Sequence, residues 1–147
     1  MDKRQYVRLN SCFAIDFTIV RLQGDLLGIG WAKGCTQNVS KSGLCLETSV
    51  LSESMIKYLD KEDIYLELHI QVPFKKEPMK AIAEVVWYEL AHEDDPSRYI
   101  IGMKFHSVMA DELTKLIGMA ERGDAVRKVV TFLAVAVLLF IIFIMIF

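Results

Sequence analysis

The strongest constraint on the fold is the alternation of apolar and polar residues through the middle of the chain. In the stretch IYLELHIQV, every second residue from Ile64 to Val72 is apolar, and most of the residues between them are polar. Successive side chains of a β-strand point to opposite faces, so this pattern is typical of a half-buried strand. The stretch CFAIDFTIVRL, residues 12–22, alternates in the same way. We therefore expect a mainly β fold.

Similar strands are predicted along most of the chain. Besides the two above, we predict strands over residues 26–40, 43–48, 80–90 and 99–108. The stretch 49–63 is predicted to be a connection, with one helical turn as the alternative, and 73–79 a hairpin connection. AHEDDPSR, residues 91–98, is predicted to be an acidic loop that includes Asp94 and Asp95. Six half-buried strands at short intervals favour an antiparallel sheet closed into a small barrel.

The period of the pattern changes after the last strand. In MADELTKLIGMAER, residues 109–122, the apolar residues fall on one helical face, which predicts an α-helix. Asp111 and Glu112 lie in the first turn, where the helix dipole favours acidic side chains. We expect this helix to end near Gly123.

The C-terminal stretch differs in composition from the rest of the chain. Residues 129–147 contain one polar residue, Thr131, and no charge. As a helix they would be roughly 28 Å long, close to the hydrocarbon thickness of about 30 Å in a bilayer. A buried core helix is the alternative, but so small a domain could hardly surround a helix that is apolar on every side. The sequence therefore predicts a C-terminal transmembrane helix over residues 125–147.

The charged residues bear on orientation and on partners. All 17 basic and 19 acidic residues lie before residue 129, and Arg122, Arg127 and Lys128 directly precede the apolar stretch. Because positive residues stay on the cytoplasmic side of a membrane, we expect a single pass with the N-terminal domain in the cytoplasm. The net charge of −2 and a pI near 5.9 argue against DNA or RNA as a partner.

Residues that could carry chemistry are scattered. The cysteines and histidines are Cys12, Cys35, Cys45, His69, His92 and His106. They have no metal-ligand spacing, so we expect free thiols and no metal site. Without a nucleophile–base pair or a phosphate-binding glycine loop, the sequence predicts no enzyme.

Two polar motifs remain. In RQYVR, residues 4–8, Arg4 and Arg8 have no acidic residue between or just after them, so they are either solvated charges or half of an anion-binding site. In NVSKSG, Asn38 and Ser40 share one face of a strand end, and Gly43 permits positive φ or close approach of a ligand. The alternative for this second motif is a strand end with ordinary turn residues.

In this order, the two motifs resemble those of the PilZ domain family. AEVVWYE, residues 83–89, is similar to the Ala-x-Val-x-Trp strand of that family, and IIGMKF, residues 100–105, to its closing Gly-x-x-Phe strand, which a helix follows. The resemblance covers roughly residues 2–120. It implies a six-stranded bacterial barrel that binds cyclic di-GMP, with Arg4 and Arg8 gripping the ligand against Asn38, Ser40 and Gly43. At Lys3 the family varies, and this residue would tune how many ligand molecules are held.

The residue types suit this ligand. The planar fork of an arginine matches O6 and N7 of guanine, and it also matches a phosphate with charge assistance. The resemblance divides the chain into a ligand-binding arm, residues 1–10, a barrel with its helix, residues 11–122, and the transmembrane helix.

The function that the sequence predicts is a receptor without catalytic activity, anchored in the bilayer of the bacterial inner (cytoplasmic) membrane. Cyclic di-GMP would order the arm, and the receptor would signal to a membrane-associated protein partner. The alternative is a ligand-independent PilZ-like adaptor that acts only through protein contact.

Overall fold

The computed structural model describes residues 9–21, 30–49, 51, 53–59, 61, 63–92 and 95–146. These residues form seven β-strands and two α-helices. In chain order they are β1 (Leu9–Asn10), β2 (Ala14–Arg21), β3 (Ala32–Val39), β4 (Gly43–Thr48), α1 (Glu53–Leu59), β5 (Ile64–Ile70), β6 (Met79–His92), β7 (Asp95–Val108) and α2 (Ala110–Ile146).

Six of the strands close into an antiparallel barrel. The neighbours around it are β2, β5, β6, β7, β4 and β3, and β3 pairs back onto β2. The short strand β1 pairs with the end of β3, next to the part of β3 that pairs with β2. The predicted six-stranded antiparallel barrel followed by a helix is confirmed.

The core consists of the inward-facing side chains of the strands. In β5, Ile64, Leu66, Leu68 and Ile70 are buried and the residues between them are half-buried, as the alternation predicts. Burial of apolar surface of this kind stabilises a fold by roughly 25 cal/mol per Å². Leu116 and Ala120 of α2 belong to the same core, so the first turns of α2 pack against the barrel.

Two of the predicted connections form regular structure instead. The stretch 49–63, predicted as a connection with one helical turn as the alternative, contains the helix α1, in which Met55 and Leu59 lie four residues apart and are both buried. The predicted acidic loop over 91–98 is mostly strand, because β6 runs to His92 and β7 begins at Asp95, its partner in the ladder. Of this loop, residues 93–94 lie outside the described residues.

The predicted end of the second helix near Gly123 is wrong. A glycine within a helix costs only about 1 kcal/mol relative to alanine, and α2 continues through Gly123 to Ile146. Asp124 and Lys128 form an ion pair at 2.8 Å, and the Thr131 hydroxyl donates to the Arg127 carbonyl at 2.9 Å.

The predicted transmembrane helix over residues 125–147 is not supported by the structure. In the portions of the chain described above, no helix is long and apolar enough to cross a membrane.

Candidate ligand-binding site

A cleft of about 300 Å³ lies where the end of β3, the start of β4, the middle of β6 and β7 meet. The residues that line this cleft include Asn38, Ser40, Gly43, Trp87, Gly102 and Lys104. The three barrel residues of the predicted site are thus brought together. Arg4, Arg8 and Lys3, the arm residues of that site, lie outside the described residues.

Ser40 holds the turn between β3 and β4. Its side chain is 5% exposed, and its hydroxyl donates to the Gly43 carbonyl at 3.1 Å and accepts from the Ser42 backbone N–H at 3.3 Å. The Ser40 backbone N–H donates to the same carbonyl at 2.8 Å. The structure therefore gives Ser40 a structural part in the motif, while Ser42, which sequence reasoning did not single out, is exposed at the cleft.

The packing of the barrel gives a further reason for glycine at residue 43. Its φ is not positive, since Gly30 is the glycine with positive φ among the described residues. A Cβ at residue 43 would lie 2.0 Å from the carbonyl oxygen of Met103. Close approach of the β7 backbone thus disfavours any larger residue at this position.

Trp87 forms an apolar wall of the cleft. A Cβ at Gly102 would lie 2.2 Å from Cε2 and Nε1 of the indole, so the ring lies directly over this glycine of β7. The ladder between β6 and β7 is irregular between Val85 and Trp87, which turns the strand locally. Trp87 remains 37% exposed and offers part of its ring to the cleft.

Sequence reasoning assigned no site role to Trp87, Gly102 or Lys104. The tryptophan lies in AEVVWYE and the glycine in IIGMKF, and both stretches are predicted to be strands. Only the pairing of β6 with β7, and of β7 with β4, brings them next to the NVSKSG motif. The sequence signal that could have indicated this part of the cleft is a tryptophan in one strand and a glycine in the next.

The cleft contains polar groups that other described residues do not satisfy. Within that part of the chain, the side-chain amide of Asn38 makes no hydrogen bond, and the exposed ammonium of Lys104 makes no ion pair, although Glu84 lies opposite it in the ladder. An amide can donate and accept at a base edge, and an ammonium suits an anion. Together with the indole, these groups suit a ligand that is both aromatic and anionic.

The root of the N-terminal arm lies beside this cleft. Leu9 pairs with Val39, and Asn10 pairs with Asn38. The residue that directly follows Arg8 is therefore bound to the end of the strand that carries Asn38. Among the described residues, no group of three His, Cys, Asp or Glu side chains is placed to hold a metal ion.

Comparison with known proteins identifies the type of domain. The family model described as PilZ domain matches residues 2–122. The search of curated proteins gave no match.

Several solved structures are similar to the chain in fold. They include the inhibitor of motility MotI/DgrA of Bacillus subtilis, at 15% identity and a TM-score of 0.56 over 83% of this chain and 51% of that one. The PilZ domain of YcgR from Escherichia coli with c-di-GMP has 12% identity and a TM-score of 0.56, over 83% of this chain and 94% of that one. The MrkH–c-di-GMP complex of K. pneumonia has 16% identity and a TM-score of 0.56, over 87% and 56%. The chain spans about half the length of MotI/DgrA and of MrkH.

Proposed function

The chain belongs to the PilZ domain family, and on this premise we propose that it is a non-catalytic receptor for cyclic di-GMP. The observation that carries the proposal is the pairing of Leu9 and Asn10 with the end of β3. Because of this pairing, the residues that follow the RQYVR motif lie beside the cleft that contains Asn38. Arg8, the last residue of that motif, directly precedes the paired Leu9. Two of the similar structures, the PilZ domain of YcgR and the MrkH complex, contain c-di-GMP.

Each part of the cleft suits one part of the ligand. The guanidinium groups of Arg4 and Arg8 would bind phosphate or the O6 and N7 edge of guanine, and Lys3 would add charge beside them. The Asn38 amide would meet a base edge, and the Trp87 ring would stack on a base. Ser40 and Gly43 would act mainly by shaping the turn, and Lys104 would face a phosphate.

Ligand binding would connect the arm to the rest of the molecule. In binding, Arg4 and Arg8 would fix the arm against the end of β3, and the arm leads into β1. The strand β1 also contacts α2, so the ordered arm and α2 would together present a new surface to a protein partner. Ordering of a segment on a ligand is a recognised way to switch such contacts.

Binding is tested by isothermal titration calorimetry of the full chain in detergent micelles. Arg8→Ala should raise the Kd for cyclic di-GMP roughly 10- to 150-fold, since a hydrogen bond to a charged group is worth about 1.5–3 kcal/mol. Arg21→Ala removes the same charge from an exposed residue at the end of β2, away from the cleft, and should leave the Kd unchanged. Absence of heat with the unaltered chain would refute the receptor and favour the ligand-independent adaptor.

Stacking on the cleft wall is tested in the same titration. Trp87→Ala should raise the Kd roughly 5- to 150-fold, because stacking on an aromatic side chain is worth about 1–3 kcal/mol per base. Trp31→Ala is the matched control, since Trp31 is 50% exposed and contacts His69 away from the cleft. If the two substitutions changed the Kd equally, Trp87 would not be part of the binding site.

We further propose that the protein acts at the bacterial inner (cytoplasmic) membrane, with its barrel in the cytoplasm. The proposal rests on the sequence of residues 129–147, which lacks any charge, and on the basic residues that precede it. The structure describes the side chains of residues 129–139, 141 and 142 in this stretch. The large apolar ones among them, from Val129 to Ile142, are exposed by 45–74%. Anchoring would raise the effective concentration of the barrel near a membrane-associated partner.

A further inference from the structure

The segment between β1 and β2 contains a bulge with a cysteine at its centre. Before it, Asn10 pairs with Asn38, and after it, Ala14 pairs with Cys35. Three residues on one side, 11–13, therefore oppose two residues of β3, Thr36 and Gln37. A bulge of this kind leaves its extra residue outside the regular ladder, and here the central residue is Cys12.

Thr36 fixes the bulge from the inside of the barrel. It is buried, and its hydroxyl donates to the Ser11 carbonyl at 3.0 Å and accepts from the Phe13 backbone N–H at 2.9 Å. Backbone hydrogen bonds from Ser11 N–H to the Gln37 carbonyl, at 3.1 Å, and from Thr36 N–H to the Phe13 carbonyl, at 2.9 Å, hold the two segments together. The bulge is thus held at both ends and from beneath.

The neighbours of the inward-facing residues must face outward. Phe13 and Thr36 are buried, so Cys12 and Cys35, one residue before each, lie on the outer surface of the barrel. Cys12 is exposed and Cys35 is half-buried, and both are free thiols. The register therefore places the two thiols on the same outer face as diagonal neighbours, with Cys12 in the bulge and Cys35 in β3 opposite Ala14.

The electrostatics of Cys35 agree with this contact. Burial raises the pKa of the Cys35 thiol, and the neighbouring Cys12 raises it further. Glu47 also raises this pKa, and Arg98 lowers it. The Cys35 thiol is thus held in its protonated form beside a more accessible thiol, which suits Cys12 as the first to react.

We propose that Cys12 and Cys35 are a redox-sensitive pair that a peroxide converts into an intramolecular disulfide. The Cys12 thiolate attacks one oxygen of hydrogen peroxide, which forms a sulfenic acid and releases hydroxide. The Cys35 thiol then loses its proton and attacks the Cys12 sulfur, which forms the S–S bond and releases the hydroxyl group and the proton as water. In sum, two thiols and one peroxide give one disulfide and two waters, so the thiols are oxidised and the peroxide is reduced.

The inference does not depend on the proposed ligand. Disulfides in a reducing cytoplasm are typically transient and redox-sensing, so a pair that reacts and is reduced again fits the proposed location. The third cysteine provides an internal reference. Cys45 is buried, and its thiol donates to the Gln37 side-chain oxygen, so it should react more slowly than the exposed Cys12.

The test treats the reduced full chain with equimolar hydrogen peroxide, blocks remaining thiols with iodoacetamide, and digests the chain with trypsin without reductant. Cleavage after lysine and arginine places Cys12 in peptide 9–21, Cys35 in 34–41 and Cys45 in 42–57. We expect 9–21 linked to 34–41, at the summed mass less two hydrogens, with 42–57 recovered as the alkylated peptide. Links that include Cys45, or alkylated 34–41 beside overoxidised 9–21, would overturn the proposal.

Two variants test the order of events. In Cys35→Ser, the sulfenic acid on Cys12 has no thiol partner, so dimedone should label peptide 9–21 after peroxide treatment, whereas the unaltered chain should give little label. In Cys45→Ser, the link between 9–21 and 34–41 should form as in the unaltered chain. Absence of the dimedone label on Cys12, or loss of the link in Cys45→Ser, would contradict the mechanism.

Discussion

At the scale of single residues, Ser40 and Gly43 of the NVSKSG motif make contacts that stabilise the fold. The hydroxyl of Ser40 is hydrogen-bonded within the turn, and Gly43 lies against the β7 backbone. These contacts place β4 next to β7 and so create the cleft. The Asn38 amide, in contrast, makes no hydrogen bond within the described chain and is available to a ligand. The motif thus combines residues that build the site with one that would bind.

This division predicts a large effect on stability at Gly43. Gly43→Ala should lower the free energy of unfolding by about 1–3 kcal/mol, the usual cost of forcing a methyl group into a packed site. The new Cβ would meet a backbone carbonyl that cannot move without shifting β7. Thermal unfolding of the full chain in detergent, followed by tryptophan fluorescence, measures the change.

Gly123→Ala is the matched control for this substitution. A Cβ at Gly123 meets nothing within 4 Å, and the residue lies inside α2. Alanine there should leave stability unchanged or raise it by up to about 1 kcal/mol, because alanine favours helix more than glycine does. If both alanine variants unfold at the same temperature as the unaltered chain, the close contact at Gly43 is not rigid.

At the scale of elements, local pattern predicted the strands well and their lengths less well. The alternation in β5 is visible in the sequence because each apolar residue faces one core. The residues of the predicted acidic loop join β6 and β7 because they pair with each other, as His92 does with Asp95, and such pairing is not visible in either segment alone. Likewise, Gly123 resembles a helix stop, but α2 continues through it, and one ion pair, between Asp124 and Lys128, lies in the turn that follows.

The packing of α2 against the barrel can be tested by truncating one of the buried side chains of this helix. Leu116→Ala should lower the free energy of unfolding by about 2–5 kcal/mol, as is usual when a buried leucine is truncated. Leu116 is fully buried in the core, and an ion pair at 2.7 Å between Lys75 and Glu112 holds the preceding turn. The same melting experiment measures the loss.

Met109→Ala provides the comparison for α2. Met109 directly precedes the helix and is 62% exposed, so its truncation should change stability by less than about 0.5 kcal/mol. A melting temperature of Leu116→Ala equal to that of Met109→Ala would mean that α2 does not contribute to the core.

At the scale of the whole molecule, the site combines segments that are far apart in sequence. The resemblance of RQYVR and NVSKSG to the PilZ motifs implied that an N-terminal arm belongs with the end of β3, and β1, which directly follows RQYVR, pairs with that end. The contributions of Trp87 and Lys104 could not be predicted from spacing, because they reach the cleft only through the closure of the barrel. Since β1 contacts both β3 and α2, β1 itself, the cleft and the C-terminal helix form one continuous path.

The C-terminal part of the chain, residues 129–147, is the segment through which we expect the protein to attach to the membrane. In bacterial cells, the full chain should sediment with membranes and resist extraction by alkaline carbonate. Val137→Asp combined with Ile141→Asp should move the protein to the soluble fraction. Each aspartate near the centre of a spanning helix costs about 2.5–3.5 kcal/mol, so two outweigh much of the gain from the apolar residues.

Val137→Leu combined with Ile141→Leu keeps the stretch apolar and should leave the protein on the membrane. Recovery of the unaltered chain in the carbonate supernatant would refute the anchor without touching ligand binding, because the calorimetric titration needs only the arm and the cleft.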